Sequence, residues 1–232
     1  MAEFSIIDSY FNRRNLNSVD LGVGDDSAVL TPPPQQQLVI CTDTSVAGRH
    51  FPLETDPHAI GWKSVAVNLS DIAAMGATPH SILLALSLPQ IDHAWLKAFS
   101  QGLYDCCDQF GVSLIGGDTT QSPHLTISIT ALGWVDSGQA IPRSGAQPGD
   151  LICVSGTVGD AAFALNHPGH PLQQRLDYPS PRCQLGVALK GLAHSMIDVS
   201  DGLAQDLGHI LQASQVGATL ALDKLPLSPA LH

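Results

Sequence analysis

The chain has 232 residues, of which 44% are hydrophobic and 13% are charged, and its formal net charge is −11. This composition supplies a packed core and excludes a disordered polypeptide, while the negative charge excludes non-specific nucleic-acid binding, which depends on Lys and Arg. No run approaches the ~20 apolar residues that span a membrane, so we expect no membrane partner. The first residues lack the features of a signal peptide, and the five cysteines have no CxxC spacing. We therefore expect a cytoplasmic protein with reduced thiols.

The first predicted element is a strand over residues 38–44, which ends on the Thr-Asp-Thr motif. Side chains alternate between the two faces of a strand, so Thr42 would lie on one face and Cys41 and Asp43 on the other. We expect this strand to deliver Thr42 and Asp43 to a site at its carboxyl end.

A helix over residues 59–77 is predicted next. Its polar residues Ser64, Asn68 and Asp71 fall at i, i+4 and i+7, so they form one polar stripe among apolar neighbours. The pattern then predicts the following elements in chain order: a strand over residues 81–88, a helix over 94–110, and strands over 111–115 and 125–135.

Turn-forming residues at 143–150 mark a break in the chain. Beyond the break, the pattern predicts three strands, over residues 151–155, 197–200 and 218–222. It also predicts a helix over residues 160–165, a surface loop over 166–181, and helices after residue 182 and from about residue 201. Because strands and helices alternate irregularly, we expect an α+β (mixed α/β) fold of two domains, residues 1–140 and 141–232.

Of the 21 acidic residues only Glu3 and Glu54 are glutamate, so 19 are aspartate. Many of the aspartates lie in five motifs beside small residues: GDD at 24–26, TDT at 42–44, NLSD at 68–71, GGDT at 116–119 and DVSDG at 198–202. Short carboxylates in this setting suit oxygen-ligand sites for hard cations. Two carboxylates 4 Å apart repel by about 4 kcal/mol at an effective dielectric of 20, so converging motifs would require bound cations, most simply Mg²⁺. Singly, each motif is more often a turn or a helix cap.

Six segments occur in the order and spacing typical of thiamine-monophosphate kinases: GVGDDSAVL, CTDTSVAGRHF, AVNLSDIAAMGA, LIGGDTT, RSGAQPGD and IDVSDGLAQDLGHI. The chain resembles this family over essentially its whole length. The resemblance implies a two-domain PurM-like architecture, in which residues 1–140 bind ATP and Mg²⁺ and form a homodimer. The family pattern continues with a GGEDYEL-type motif and an aromatic residue that help to hold thiamine, so the C-terminal α+β domain is expected to be incomplete in this chain.

The resemblance also implies the site residues. Mg²⁺ ions around the ATP phosphates would be held by Asp26, Thr42, Asp43, Asp71, Asp118, Asp198 and Asp201. ATP would contact Gly117, Asp118, Arg143 and Ser200, while His50 would lie at the thiamine phosphate. Cys41 stands where related sequences often have Ser, so a hydroxyl ligand to metal would be lost here, although the backbone carbonyl would still serve. Taken alone, Arg143 is more often a solvated turn residue and His50 a structural histidine.

The function implied by the resemblance is in-line transfer of the ATP γ-phosphoryl group to thiamine monophosphate, assisted by several Mg²⁺ ions, which gives thiamine diphosphate. The acceptor phosphate has a second pKa of ~6 and is already a nucleophile near pH 7, so no catalytic base is expected. Two alternatives stay open: another PurM-like ATP-dependent synthetase, and a non-catalytic module that binds Mg²⁺ and nucleotide. A selenophosphate synthetase is disfavoured because no cysteine precedes Cys41. Whether a monovalent cation assists is also open.

Overall fold

The computed structural model describes residues 5–13 and 17–231. Within these residues, one mixed four-stranded sheet forms the centre of the molecule, with the strand order β1-β4-β2-β3. Its strands are β1 (Gln36–Val46), β2 (Thr78–Leu88), β3 (Ser113–Gln121) and β4 (Thr126–Asp136). β4 pairs antiparallel with both β1 and β2, whereas β2 and β3 run parallel because α2 crosses over between them.

Two long helices cover one face of this sheet. They are α1 (Pro57–Ala74) and α2 (His93–Phe110), and four shorter helices follow: α3 (Asp160–Asn166), α4 (Gln173–Asp177), α5 (Cys183–Ala188) and α6 (Leu203–Ser214). The described residues also include a π-helical turn, Ile7–Phe11, and two 3₁₀ turns, Leu222–Lys224 and Pro229–Leu231. No described helix combines the length and hydropathy that crossing a lipid bilayer would require.

Local sequence explains where the long helices begin and end. Asp56 precedes α1 and accepts a hydrogen bond from the backbone N–H of His58, and Pro57 occupies the first helical position.

Asp92 caps the start of α2 in the same way. Its Oδ1 accepts hydrogen bonds from the backbone N–H groups of Ala94 and Trp95. α2 ends at Gly111, which adopts a left-handed conformation that glycine tolerates best.

Glycine also lets α1 and α2 pack closely. A Cβ atom at Gly61 would lie 2.1 Å from the carbonyl oxygen of Phe99, and one at Gly102 would lie 1.9 Å from that of His58. Below and between the helices lies a continuous apolar core that includes Leu69, Ile72, Leu96, Phe99, Leu103, Ile82, Ile127 and Ile129. This core fixes the position of α1 against β1, and that contact builds the site described below.

The other face of the sheet is open. No described element covers it, and Leu38 and Ile40 on β1 remain 42% and 57% exposed. Two hydrogen bonds between side-chain hydroxyl groups join β1 to β4 on this face. The first joins Thr42 to Thr130, with 2.8 Å between the Oγ1 atoms, and the second lies two residues further along β1. We refer to this surface of β1, β4, β2 and β3 as the open sheet face.

The strands and helices predicted between residues 38 and 135 are confirmed, although several of their bounds shift by one to three residues. Two extensions affect the aspartate motifs. β1 continues two residues beyond the predicted end, so Thr42 and Asp43 lie inside the strand. β3 likewise runs through the GGDT motif, which was expected to follow a shorter strand. Both extensions arise because neighbouring strands supply ladder partners as far as these residues.

The second half of the chain differs from prediction. The predicted strands over residues 151–155, 197–200 and 218–222 are wrong, since no described residue beyond 136 belongs to a strand. A strand needs a hydrogen-bonded neighbour, and these segments find none among the described residues. The predicted loop over 166–181 contains α4, whereas the helices predicted at 160–165, after 182 and from about 201 are confirmed as α3, α5 and α6.

The second half packs against α1 through several direct contacts. A Cβ atom at Gly186 in α5 would lie 2.2 Å from the carbonyl oxygen of Ala73, so this glycine permits close approach of α5 to α1. Trp62 donates a hydrogen bond from Nε1 to the carbonyl of Pro179 at 2.9 Å. These contacts hold the later helices beside α1 and the sheet.

Candidate functional site

The site begins where the polar stripe of α1 meets β1. Asn68 is 1% exposed, donates from Nδ2 to the carbonyl of Ser64 at 2.9 Å, and accepts at Oδ1 from the backbone N–H of Asp43 at 3.1 Å. The Cys41 thiol donates to the backbone carbonyl of Asn68 at 3.3 Å. The predicted alternation of β1 is therefore confirmed, because Cys41 and Asp43 both face α1.

Three carboxylates from distant parts of the sequence interact in this region, and we call Asp43, Asp71 and Asp198 the carboxylate cluster. Burial, then the negative charges of Asp198 and Asp43, raise the pKa of Asp71 to about 6. Burial also raises the pKa of Asp198, with Asp206 and Asp43 adding to the effect, whereas a hydrogen bond from Ser70 opposes it. The cluster therefore concentrates negative charge that a bound cation would relieve.

Cys41 lies beside the carboxylate cluster. Burial, followed by the charges of Asp71 and Asp43, raises the pKa of its thiol to about 12. The thiol is therefore protonated near neutral pH and acts as a hydrogen-bond donor rather than as a thiolate ligand for a soft metal.

Arg143 supplies a positive charge opposite the cluster, and its field lowers the pKa values of both Asp71 and Asp198. Its loop is attached to the last residue of α6. The Ser214 hydroxyl donates to the carbonyl of Arg143 at 3.3 Å and accepts from the N–H groups of Gly145 and Ala146, each at 3.1 Å. The turn that sequence patterns treated as a boundary is thus a fixed part of the site.

The DVSDG loop is held by a residue that the sequence interpretation missed. Asp206 in the first turns of α6 is 3% exposed, and its Oδ2 accepts from the N–H groups of Ser200, Asp201 and Gly202 at 3.0, 3.2 and 3.1 Å. The sequence signal was an acidic residue near the start of a helix, where side chains commonly reach back to free N–H groups. The Asp201 side chain itself is exposed and accepts from Gln205 at 3.2 Å.

Thr42, Gly117 and Asp118 occupy the sheet outside the carboxylate cluster. Thr42 lies on the open sheet face, as its contact with Thr130 indicates. The strand register puts Asp118 in one row with Ala85 of β2, and both are exposed. Gly117 has a φ of 151°, and a Cβ atom there would lie 1.8 Å from the carbonyl oxygen of Leu84, so β2 and β3 require glycine at this position.

Two further site residues predicted from the sequence lie on loops. Asp26 is exposed at a turn closed by backbone pairing between Leu21 and Val29. His50 follows β1, and its Nδ1 accepts from the backbone N–H of Val46 at 3.0 Å, which fixes the direction of the ring. His50 lines a small cleft, whose other walls include residues of β1, α1, α3 and α4.

The carboxylate cluster offers suitable donors for a metal ion, but it does not by itself supply a complete set of ligands. No three His, Cys, Asp or Glu side chains among residues 5–13 and 17–231 are close enough to hold an ion by themselves. Mg²⁺ commonly uses one or two carboxylates and completes its octahedron with water and substrate phosphates. The raised pKa values of Asp71 and Asp198, to which the neighbouring carboxylates contribute, therefore fit Mg²⁺ brought in with a phosphate ligand.

Residues 24–135 match the family described as AIR synthase related protein, N-terminal domain. The chain is 49% identical to the thiamine-monophosphate kinase of Escherichia coli, an alignment that covers 99% of this chain and 74% of that protein. It is 47% identical to the thiamine-monophosphate kinase of Haemophilus influenzae, over 100% of this chain and 74% of that one.

Solved structures agree with these relatives. The thiamine-monophosphate kinase of Stenotrophomonas maltophilia superposes with a TM-score of 0.87 at 46% identity, covering 98% of this chain and 76% of that one. A structure described as AaThiL complexed with AMPPCP and TMP gives a TM-score of 0.81 at 28% identity, over 98% and 74% of the two chains. These similarities extend across both halves of the described fold, and the chain therefore belongs to the thiamine-monophosphate kinase family.

Proposed function

We propose that this protein transfers the γ-phosphoryl group of ATP to thiamine monophosphate, which yields thiamine diphosphate and ADP. The observation that carries the proposal is the convergence of Asp43, Asp71 and Asp198 beside Arg143, in a chain 49% identical to a thiamine-monophosphate kinase. The AaThiL relative was solved with AMPPCP, an ATP analogue, and with TMP, so one fold accommodates both kinds of ligand.

The nucleotide would lie with its phosphates at the carboxylate cluster. We assign Mg²⁺ binding to the side chains of Asp26, Asp43, Asp71, Asp118, Asp198 and Asp201 and to the backbone carbonyls of Cys41 and Thr42. Bound Mg²⁺ would neutralise the phosphates and favour an in-line arrangement of donor and acceptor. Gly117, Asp118, Arg143 and Ser200 are assigned to ATP, where Arg143 supplies positive charge and Ser200 lies in the loop that Asp206 holds.

The acceptor would enter the cleft beside His50. Ser45 of β1 and Ser64 of α1 line this cleft together with His50. These two elements also carry Asp43 and Asp71 of the carboxylate cluster. We assign this cleft to thiamine monophosphate, whose phosphate would then point toward the proposed nucleotide site. Apolar side chains such as Ile60 and Phe51 offer contact surface for the thiamine rings.

The reaction needs no general base from the protein. An oxygen of the acceptor phosphate, mostly dianionic near pH 7 because its second pKa is ~6, bonds to the γ-phosphorus. The bond from the γ-phosphorus to its bridging oxygen breaks, and ADP leaves with that electron pair. The chain's contribution is to position two anions and to balance their charge, which accounts for many aspartates and few bases.

We also propose a homodimer built on the open sheet face and a division into two domains at residues 1–140 and 141–232. The exposed Leu38 and Ile40 side chains support the dimer, since a second copy would remove this apolar surface from water. All four described strands lie between residues 36 and 136, which supports the proposed division.

The direct test is to incubate the protein with ATP, Mg²⁺ and thiamine monophosphate and to identify the product by mass spectrometry. We expect thiamine diphosphate and ADP in equal amounts. Calorimetry should show ATP binding that disappears when chelator removes divalent cations, because the site has few basic residues. ATP binding without any product would support a non-catalytic nucleotide-binding module, and unchanged ATP affinity in chelator would refute the metal assignment.

A further inference from the structure

We propose that α6 is a positioning element for the nucleotide site: Asp206 near its start fixes the carboxylate loop 198–202, and Ser214 at its end fixes the Arg143 loop 143–146. The inference rests on the proposed function, because it assigns a purpose to two side chains that would touch neither substrate.

The Asp206 carboxylate is hydrogen-bonded within the protein rather than exposed to a ligand. One of its oxygens, Oδ2, accepts three backbone N–H groups in a row, from Ser200 to Gly202, and the side chain is almost fully buried. Hydrogen bonds to an ionised acceptor are stronger than those between neutral groups. Three of them converging on one atom curl the loop around the start of α6 and thereby set the direction of Asp198 and Asp201.

Ser214 is similarly committed at the other end of α6. A hydroxyl offers one donor and two acceptor positions, and Ser214 uses all three, on Arg143, Gly145 and Ala146. The loop is restrained on its other side as well, because a Cβ atom at Gly145 would lie 2.5 Å from the carbonyl oxygen of His194. The backbone that carries Arg143 therefore has little freedom to shift relative to α6.

The helix between these anchors sets their separation. Ser214 lies eight positions after Asp206, and an α-helix rises by about 1.5 Å per residue, so the anchors stand about 12 Å apart along a rigid axis. Loop 198–202 carries Asp198, and loop 143–146 carries the Arg143 guanidinium, whose positive charge acts on Asp198. α6 thus couples the placement of the anionic and cationic parts of one site.

The two anchors should have separable effects, which a merely structural role would not produce. Removing the Asp206 carboxylate should weaken Mg²⁺ binding, because partners that orient metal ligands typically contribute roughly 10- to 100-fold in metal affinity. Removing the Ser214 hydroxyl should instead weaken ATP binding at saturating Mg²⁺ by roughly 5-fold, the equivalent of about one net hydrogen bond. A structural role alone would lower thermal stability and leave both affinities unchanged in the folded protein.

The first experiment compares Asp206→Ala and Asp206→Asn with the control Asp223→Ala, whose carboxylate is exposed on a 3₁₀ turn. Calorimetry measures Mg²⁺ affinity in the presence of AMPPCP, and hydrogen exchange measures protection of the amides at residues 200–202 without ligands. We expect loss of protection and weaker Mg²⁺ binding in Asp206→Ala, a smaller effect in Asp206→Asn, and none in the control. Asp206→Asn keeps the test decisive if the alanine variant does not fold.

The second experiment compares Ser214→Ala and Ser214→Thr with the control Ser180→Ala, an exposed serine outside α6. We expect a higher KM for ATP in Ser214→Ala, an unchanged KM for thiamine monophosphate, and recovery in Ser214→Thr. Folded Asp206 and Ser214 variants with wild-type Mg²⁺ and ATP affinities would overturn the inference while the proposed function stands. A wild-type protein that binds neither Mg²⁺ nor ATP would overturn both.

Discussion

The side-chain amide of Asn68 is joined to the backbone of Asp43: Oδ1 accepts the N–H of Asp43 at 3.1 Å, across the gap between α1 and β1. The same amide donates to the carbonyl of Ser64 at 2.9 Å, so both ends of a fully buried polar group are satisfied. A neutral amide can make this connection beside the carboxylate cluster without adding charge, which explains why an uncharged polar residue occupies this position.

Replacement of Asn68 should destabilise the protein. Asn68→Ala removes a buried side chain and leaves the partly buried N–H of Asp43 without its acceptor, and we expect a loss of about 1–3 kcal/mol in the free energy of unfolding. Urea denaturation would measure it. Asn166→Ala is the matched control, because that amide also makes one helix hydrogen bond but is exposed. Equal losses in the two variants would contradict the role assigned to Asn68.

Neutral replacements of the proposed metal ligands should abolish most phosphoryl transfer. Asp43→Asn, Asp118→Asn and Asp198→Asn each remove a proposed metal ligand and a charge, and we expect kcat to fall about 100-fold or more. Steady-state assays with ATP and thiamine monophosphate would check this. The control is Asp223→Asn, because the Asp223 carboxylate is exposed on a 3₁₀ turn outside the motifs. Activity near that of the control would refute the assignment.

In chelator, Asp71→Asn should be more stable than the wild-type protein at pH 7. Folding raises the pKa of Asp71 from 3.8 to about 6, because burial and neighbouring carboxylates disfavour its charged form. The ionised group therefore opposes folding above pH 6, and its penalty fades as the pH falls through 6 toward 4. After discounting for its partial exposure, we expect a gain of about 1 kcal/mol. Thermal melts at pH 7 and pH 4.5 should show a gain only at the higher pH, and equal gains would contradict this.

A charge on the open sheet face should prevent the proposed dimer. Ile40→Glu places a carboxylate at an apolar position that is 57% exposed, and burying an unpaired charge in an interface is strongly unfavourable. Light scattering at micromolar concentration should give a dimer for the wild-type protein and a monomer for Ile40→Glu. The control Leu192→Glu also places a charge at an exposed apolar position, but away from the sheet, and should leave the dimer intact. A monomeric wild-type protein would refute the dimer.

Gly117→Ala should be strongly destabilising. Its φ is 151°, and the new Cβ atom would lie 1.8 Å from the carbonyl oxygen of Leu84, so β2 and β3 would have to separate. We expect a loss of about 3 kcal/mol or more in unfolding free energy. Gly208→Ala in α6 is the contrasting control, because no neighbour lies within 4 Å of its Cβ position and alanine favours helix by about 0.5–1 kcal/mol. Denaturant unfolding should move the two variants in opposite directions.

The amino-acid sequence by itself determined the local features of this protein. Side-chain alternation put Cys41 and Asp43 on one face of β1 and Thr42 on the other, because the period of a strand is two residues. Helical periodicity aligned Asn68 and Asp71, while caps such as Asp92 and Gly111 delimited α2. The motif set also identified the family, from which the acceptor's identity follows, since no residue pattern specifies thiamine without that resemblance.

Tertiary structure alone decided which distant residues meet. Asp43 and Asp198 interact across more than half the chain because the core packs α1 on β1 and the later helices on α1, which no local pattern encodes. For the same reason the strands predicted beyond residue 136 are wrong: a strand exists only if a partner pairs with it. The sequence interpretation missed Asp206 because an acidic residue in a helix resembles an ordinary surface charge. Only the fold shows that three backbone N–H groups donate to its carboxylate.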